Sequence, residues 1–115
     1  MSERTEILDG KIFIGEFGKK GGAAEGTDRL IFREGRFNSI SCVPYAFGDA
    51  PYSVVIDGDI MTFAAETFSM CGGKIKWRGM IKDGTLDGTF IWHRLGKWLR
   101  VNKAPTEYWF KGQSV

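Results

Sequence analysis

Apolar and polar residues alternate with a period of two along much of this chain. From Lys74 to Lys82, Ile75, Trp77, Gly79 and Ile81 are interleaved with Lys74, Lys76, Arg78, Met80 and Lys82. That period puts one set on each face of a β-strand. No window shows the 3.6-residue period of an amphipathic helix. Three breaks recur in nearly the same dress: Phe32-Arg33-Glu34-Gly35-Arg36-Phe37, Val55-Ile56-Asp57-Gly58-Asp59-Ile60 and Ile81-Lys82-Asp83-Gly84-Thr85-Leu86. Each is an acidic residue followed by Gly, with an apolar residue two before the acid and two after the glycine. A two-residue hairpin turn needs that arrangement, because Gly takes positive φ without steric cost and the flanking apolar residues become a cross-strand pair. Gly58 and Gly84 are therefore expected at positive φ.

The pattern predicts strands at Lys11 to Phe17, Thr27 to Arg33, Arg36 to Cys42, Tyr52 to Ile56, Asp59 to Thr67, Lys74 to Lys82, Thr85 to Leu95 and Glu107 to Lys111. The fold class is all-β: a single domain over residues 1–115, built as an antiparallel up-and-down eight-stranded β-barrel with little or no helix. The connections KKGGAAEG, VPYAFGDAP, FSMCGG and GKWLRVNKAPT are long, whereas the acidic-Gly turns are minimal. In a meander, alternate connections lie at opposite ends, so the long loops should share one end and the tight turns the other. Register follows from the turns. Phe32 with Phe37, Val55 with Ile60, and Ile81 with Leu86 would form an apolar floor. Above them, Leu30 with Ser39, Ser53 with Thr62, and Gly79 with Gly88 would leave a roomy waist. Asp28 with Ser41, Trp77 with Phe90, Glu66, Ile75 with Trp92, and Arg94 would complete an aromatic wall near the long-loop mouth. About eight strands is the size at which a closed barrel holds one small ligand.

Composition supports this architecture. The 115 residues include sixteen glycines, three prolines, nine Phe, four Trp and three Tyr, which suits short aromatic strands joined by tight turns. Sixteen Lys and Arg against fourteen Asp and Glu leave a formal charge of +2, too small to argue for nucleic acid. No stretch reaches the roughly eighteen consecutive apolar residues of a membrane helix. The charged start MSERTEILDG has no apolar core of a secretory leader. The expectation is a soluble, cytoplasmic protein, or a periplasmic or secreted one if a signal segment has been removed.

The eight-strand meander with one tight-turn end, Gly10-Lys11-Ile12-Phe13 opening the barrel, and the runs Trp77-Arg78-Gly79 and Gly88-Thr89-Phe90-Ile91-Trp92 resemble the calycin-like barrels. That group contains lipocalins, fatty-acid-binding proteins and avidins, and the likeness is nearest to small bacterial members of that shape. It covers the whole chain as architecture but only short stretches as sequence. Gly15-Glu16-Phe17 stands where lipocalins carry Gly-x-Trp, and no ligand residue is carried over from the family.

Several features point elsewhere. In this register Ile31, Ile40, Val54, Ile56, Met61, Phe63 and Ile91 face outward, and an apolar outer wall marks an interface. A homodimer joined through Ile40, Val54, Met61 and Phe63 is the economical reading; the alternative is an inverted or bulged register that turns some of them inward. The outward stripe Lys74, Lys76, Arg78, Met80, Lys82 could track a phosphate backbone, but such a stripe is more often the wet face of a strand. Cys42 and Cys71 both fall at the long-loop end, either as a disulfide or as two reduced thiols. With His93 they match no closed zinc site. No metal, cofactor or membrane partner is expected.

For function, the leading expectation is a small-molecule binding protein. A mostly apolar ligand with a polar end would enter at the long-loop end and meet Tyr45, Phe47, Phe68, Met70, Trp77, Phe90, Trp92, Trp98, Glu66 and Arg94, with Arg94 reading any anionic group. The main alternative is a protein-protein interaction module whose barrel is filled by its own side chains and which acts through its apolar outer face or its aromatic loops. A barrel-type isomerase or cyclase using Asp28, or Glu66 beside Arg94, ranks below both, because no Ser-His-Asp set, second histidine, nucleophile elbow or P-loop is present.

Overall fold

A computed structural model describes residues 2–4, 7–45, 47–69, 73–94 and 105–115, with residues 2–4 and 45 as backbone only. Among these the elements are β1 (Ser2–Arg4), β2 (Ile12–Lys19), β3 (Ala24–Arg33), β4 (Arg36–Ser39), a 3-10 helix (Ile40–Tyr45), β5 (Ala50–Asp57), β6 (Ile60–Ser69), β7 (Gly73–Lys82), β8 (Thr85–His93) and β9 (Thr106–Ser114). Strands β2 to β9 pair antiparallel in sequence order, and β2 pairs with β9 to close an eight-stranded up-and-down barrel.

β1, which the sequence pattern does not reveal, lies outside this cycle. It pairs with β5 from Arg4↔Val54 to Ser2↔Ile56. It occupies an edge that β4 leaves open, because β4 and β5 share only the pairs Arg36↔Pro51 and Phe37↔Ala50. The expected strand to Cys42 stops at Ser39, where the chain enters the 3-10 helix. The Asp28 carboxylate explains the change: it accepts the Ser41 amide at 2.9 Å and the Ser39 hydroxyl at 2.5 Å. A side chain thus takes a backbone donor that a continuing ladder would have used. At the other end β9 runs to Ser114, beyond the expected Lys111.

Two of the three hairpins follow the sequence register. Glu34 and Gly35 have φ of 54° and 75°, and Asp83 and Gly84 have 53° and 76°. Both central residues are left-handed, as a type I′ turn requires. Phe32↔Phe37, Leu30↔Ser39, Ile81↔Leu86, Gly79↔Gly88, Trp77↔Phe90 and Ile75↔Trp92 are all paired.

The middle hairpin differs by one residue. Its closing pair is Asp57↔Ile60 and Gly58, at φ 64°, is the first of its two central residues. Gly58-Asp59 is therefore the turn, with glycine where a II′ turn needs it. Asp57-Gly58-Asp59 carries both turn signals, and the second one holds. Because side chains alternate, this slip sends β5 and β6 through the wall. Val54↔Phe63 and Ile56↔Met61 become the inward pairs, and Val54 and Phe63 are 0% and 1% exposed. The outer wall expected to join a homodimer is thus dissolved: Val54 and Phe63 are core, Met61 is half-buried against the core, and Ile40 alone of the four is exposed.

The slip also fills the expected waist. The Phe63 ring lies against Gly79, where an added Cβ would come within 2.7 Å of its Cε1. Phe63 meets Phe32 at 5.0 Å and Phe37 at 5.3 Å between ring centroids, and Phe37 meets Trp77 at 5.0 Å. Rings therefore touch across the barrel. At the tight-turn end, Leu8 is fully buried as a stopper. Its amide donates to the Tyr52 hydroxyl at 3.2 Å, which in turn donates to Asp9 Oδ1 at 2.7 Å.

Candidate functional site

The solid interior ends upward in a shelf of three rings delivered by β7, β8 and β9. Trp77 stacks on Phe90 at 4.4 Å and 29°, and Phe90 on Tyr108 at 4.8 Å and 7°. The Trp77 indole N–H donates to Thr67 Oγ1 at 3.2 Å, which fixes the first ring. Above this shelf, at the long-loop end, is an open cup of about 360 Å³. Phe17, Ile75, Phe90, Trp92 and Tyr108 supply its apolar wall, and Phe47 from the β4–β5 connection closes one side. Phe47 is buried and meets Trp92 edge-on at 6.0 Å and 80°.

The lip is polar. Lys19 at the end of β2 and Arg94 just after β8 stand on one side, flanking Tyr108 of β9. The Arg94 guanidinium carbon lies 4.2 Å from the Trp92 ring centroid, and its Nη2 donates to the Tyr108 hydroxyl at 3.3 Å. Glu25 and Asp28 of β3, the strand next to β2, with Ser41 and Cys42 of the 3-10 helix, complete the lip. Asp28 is 6% exposed and uses its oxygens on protein donors: the Arg29 and Ser41 amides meet Oδ1, and the Ser39 hydroxyl meets Oδ2. That satisfies a buried carboxylate and ties β3 to the corner after β4.

Cys42 is a free thiol. Burial pushes its pKa from 9.0 to about 11, the Ser39 hydrogen bond acts in the opposite sense, and the Asp28 charge adds to the rise. It is therefore a protonated packing residue at neutral pH. Between about pH 9 and pH 11 the unfolded chain releases this proton while the folded protein keeps it, so this contribution to stability falls as pH rises through that window. Replacing Cys42 with Ala is expected to flatten that part of the stability profile. Thermal midpoints of wild type and variant across the window check it; parallel curves would contradict it.

Of the residues expected from sequence, Phe47, Phe90, Trp92 and Arg94 come together in the cup, and Trp77 lies directly beneath. Glu66 and Phe68 are corrected. Once β6 turns Phe63, Ala65 and Thr67 inward, Glu66 points out and pairs with Lys76 at 4.0 Å, and Phe68 is 60% exposed. The expected Glu66–Arg94 pair is not formed. Met70, Cys71, Trp98 and the side chain of Tyr45 lie outside the described residues. His93 pairs with Lys74 in the β7–β8 ladder, half-exposed. Among the described residues no group of three His, Cys, Asp or Glu side chains is arranged to hold a metal.

Sequence reasoning did not find Phe17, Lys19 or Tyr108. Tyr108 and Phe110 alternate correctly for an inward set, but the long β8–β9 connection fixes no register. Lys19 follows a bulge at Phe17/Gly18 that shifts the β2–β3 pairing to Gly18↔Ala24, and nothing in the local sequence marks it.

Fold and site together define a closed eight-stranded up-and-down barrel, with a solid interior and a cup at its mouth, that has the coarse form of a calycin-like barrel. Comparison with protein-family models, curated proteins and solved structures finds no match to this chain.

Proposed function

We propose that this protein binds a small, mostly apolar molecule with a polar end in the cup at the long-loop end, and that it is a calycin-like barrel in kinship as well as in shape. One observation carries the binding reading: above an interior packed with rings, the mouth is left open as a cup of about 360 Å³ with an aromatic wall and a charged lip. An apolar cavity with a few converging polar groups is the usual form of a ligand site. Phe17 and Trp92 are only partly buried in the cup, and a ligand covering them would take further apolar surface out of water.

The test is tryptophan fluorescence during titration with an environment-sensitive apolar dye, which is then displaced by small aromatic and aliphatic acids. A saturable change is expected in wild type, weakened about tenfold or more in Trp92→Ala. No change with any compound would overturn the reading.

A second reading has its own support. Phe37, Trp77 and Phe90 meet across the barrel, as they would in an interaction module that needs no cavity. Such a module would act at the mouth, where Val43 of the 3-10 helix and Phe68 near the end of β6 are exposed, since Val54 and Phe63 are core and form no outer wall. The same titration separates the two.

A further inference from the structure

The cup also carries information about what it would hold. Resting on the binding reading above, we infer that its ligand is a compact aromatic acid, one flat ring system bearing a single negative charge, and not a long-chain lipid.

Depth decides the first half. A ligand entering from the long-loop end reaches Phe90, and behind Phe90 stands Trp77 at 4.4 Å, itself against Phe37 at 5.0 Å. Among the described residues these stacked rings leave no channel for an acyl chain. The volume, about 360 Å³, is near the lower end of the range for ligand sites. The walls favour a ring in particular. Phe47 and Trp92 stand at 80° to each other, and Phe17 and Phe90 at 60°, so a flat guest meets both ring faces and ring edges. Those are the two arrangements that aromatic pairs prefer.

Charge decides the second half. Lys19 and Tyr108 are directly paired across the β2–β9 ladder, and Arg94 donates to the same Tyr108 hydroxyl. Two cations and a phenol thus share one lip, and the guanidinium is held in place by its seat on Trp92. A guanidinium has five N–H donors in a planar fork that matches a carboxylate. The Asp28 carboxylate of β3 is already taken by three protein donors, and Glu25, on the same strand next to the Lys19 end of β2, is the exposed acid of the lip. Asp28 therefore has no acceptor to spare for a guest, and the groups at the lip with donors to offer are Lys19, Arg94 and the Tyr108 hydroxyl.

Four probes test this: naphthoate, naphthylmethanol, naphthylmethylamine and dodecanoate, each titrated by calorimetry and tryptophan fluorescence at low salt. Naphthoate is expected to bind about tenfold or more tighter than the other three. In the Lys19→Gln/Arg94→Gln double variant the preference for naphthoate over naphthylmethanol should vanish. Naphthylmethanol or naphthylmethylamine binding as well as naphthoate, or a preference that survives in the double variant, would overturn the anionic assignment. Dodecanoate matching naphthoate would overturn the compact one. In each of those cases something still binds, so the reading of the cup as a ligand site stands. If none of the four binds wild type, that reading falls and takes this inference with it.

Discussion

Phe63→Lys is expected to unfold the barrel, with loss of near-ultraviolet circular dichroism and of a cooperative thermal transition. Phe63 is 1% exposed and touches Phe32 and Phe37, and its ring occupies the space that Gly79 leaves. Removing a ring of this kind costs about 3–5 kcal/mol by itself. An ammonium in its place adds the cost of an unpaired buried charge. Domains are typically stable by only about 5–15 kcal/mol, so the sum is enough to abolish folding. Phe63→Leu, which keeps an apolar side chain there, should stay folded with a lowered midpoint. A Phe63→Lys protein that keeps its tertiary signal and merely changes oligomeric state would show that the side chain faces outward after all.

The second large effect is expected from Asp28→Ala. The carboxylate accepts from the Ser39 hydroxyl and from the Arg29 and Ser41 amides, and it is almost wholly buried. Its loss leaves those donors without their acceptor at the corner where β4 ends. Hydrogen bonds to a charged group contribute about 1.5–3 kcal/mol each, and the loss of this carboxylate should cost about 3–5 kcal/mol in all. Asp28→Asn should cost less, because its amide oxygen can still accept the two backbone donors on one side. Urea titrations check both, with unchanged slope expected and a lower midpoint. An Asp28→Ala midpoint indistinguishable from wild type would show that the corner is held by other contacts.

The tight turns and the meander were legible because their determinants are local. Glu34-Gly35 and Asp83-Gly84 each tell a single story, and the pairs on either side follow from it, including Trp77 with Phe90 in the shelf below the site. Asp57-Gly58-Asp59 tells two. Choosing between Asp57-Gly58 and Gly58-Asp59 depends on where the Phe63 ring fits, and its seat, Gly79, belongs to the next strand. That complementarity is a tertiary fact.

One wrong residue of register then carried through the site. It set Glu66 inside and Phe63 outside, and it left an empty waist where rings meet. Phe47, Phe90, Trp92 and Arg94 escaped because they lie on the well-signalled hairpin or on a loop whose end of the barrel follows from topology alone. Tyr108 and Lys19 stayed hidden because closure of β2 on β9 joins segments from opposite ends of the chain, with no turn between them.

That closure bears on how the molecule comes into being. The Val115 amide reaches back to the Ile12 carbonyl at 3.0 Å, and β9 is held by β2 on one side and β8 on the other. A chain emerging from the ribosome at about 5–20 residues per second therefore has every earlier strand made before the wall can be sealed. Until β9 arrives, the inner edges of β2 and β8 offer their backbone groups to any passing strand. Contacts between segments far apart in sequence close slowly, so the joining of β9 to β2 is expected to be the slow step of folding. During synthesis the edges of β2 and β8 therefore stay open to other strands until the barrel's closing strand, the nine residues Thr106–Ser114, has emerged.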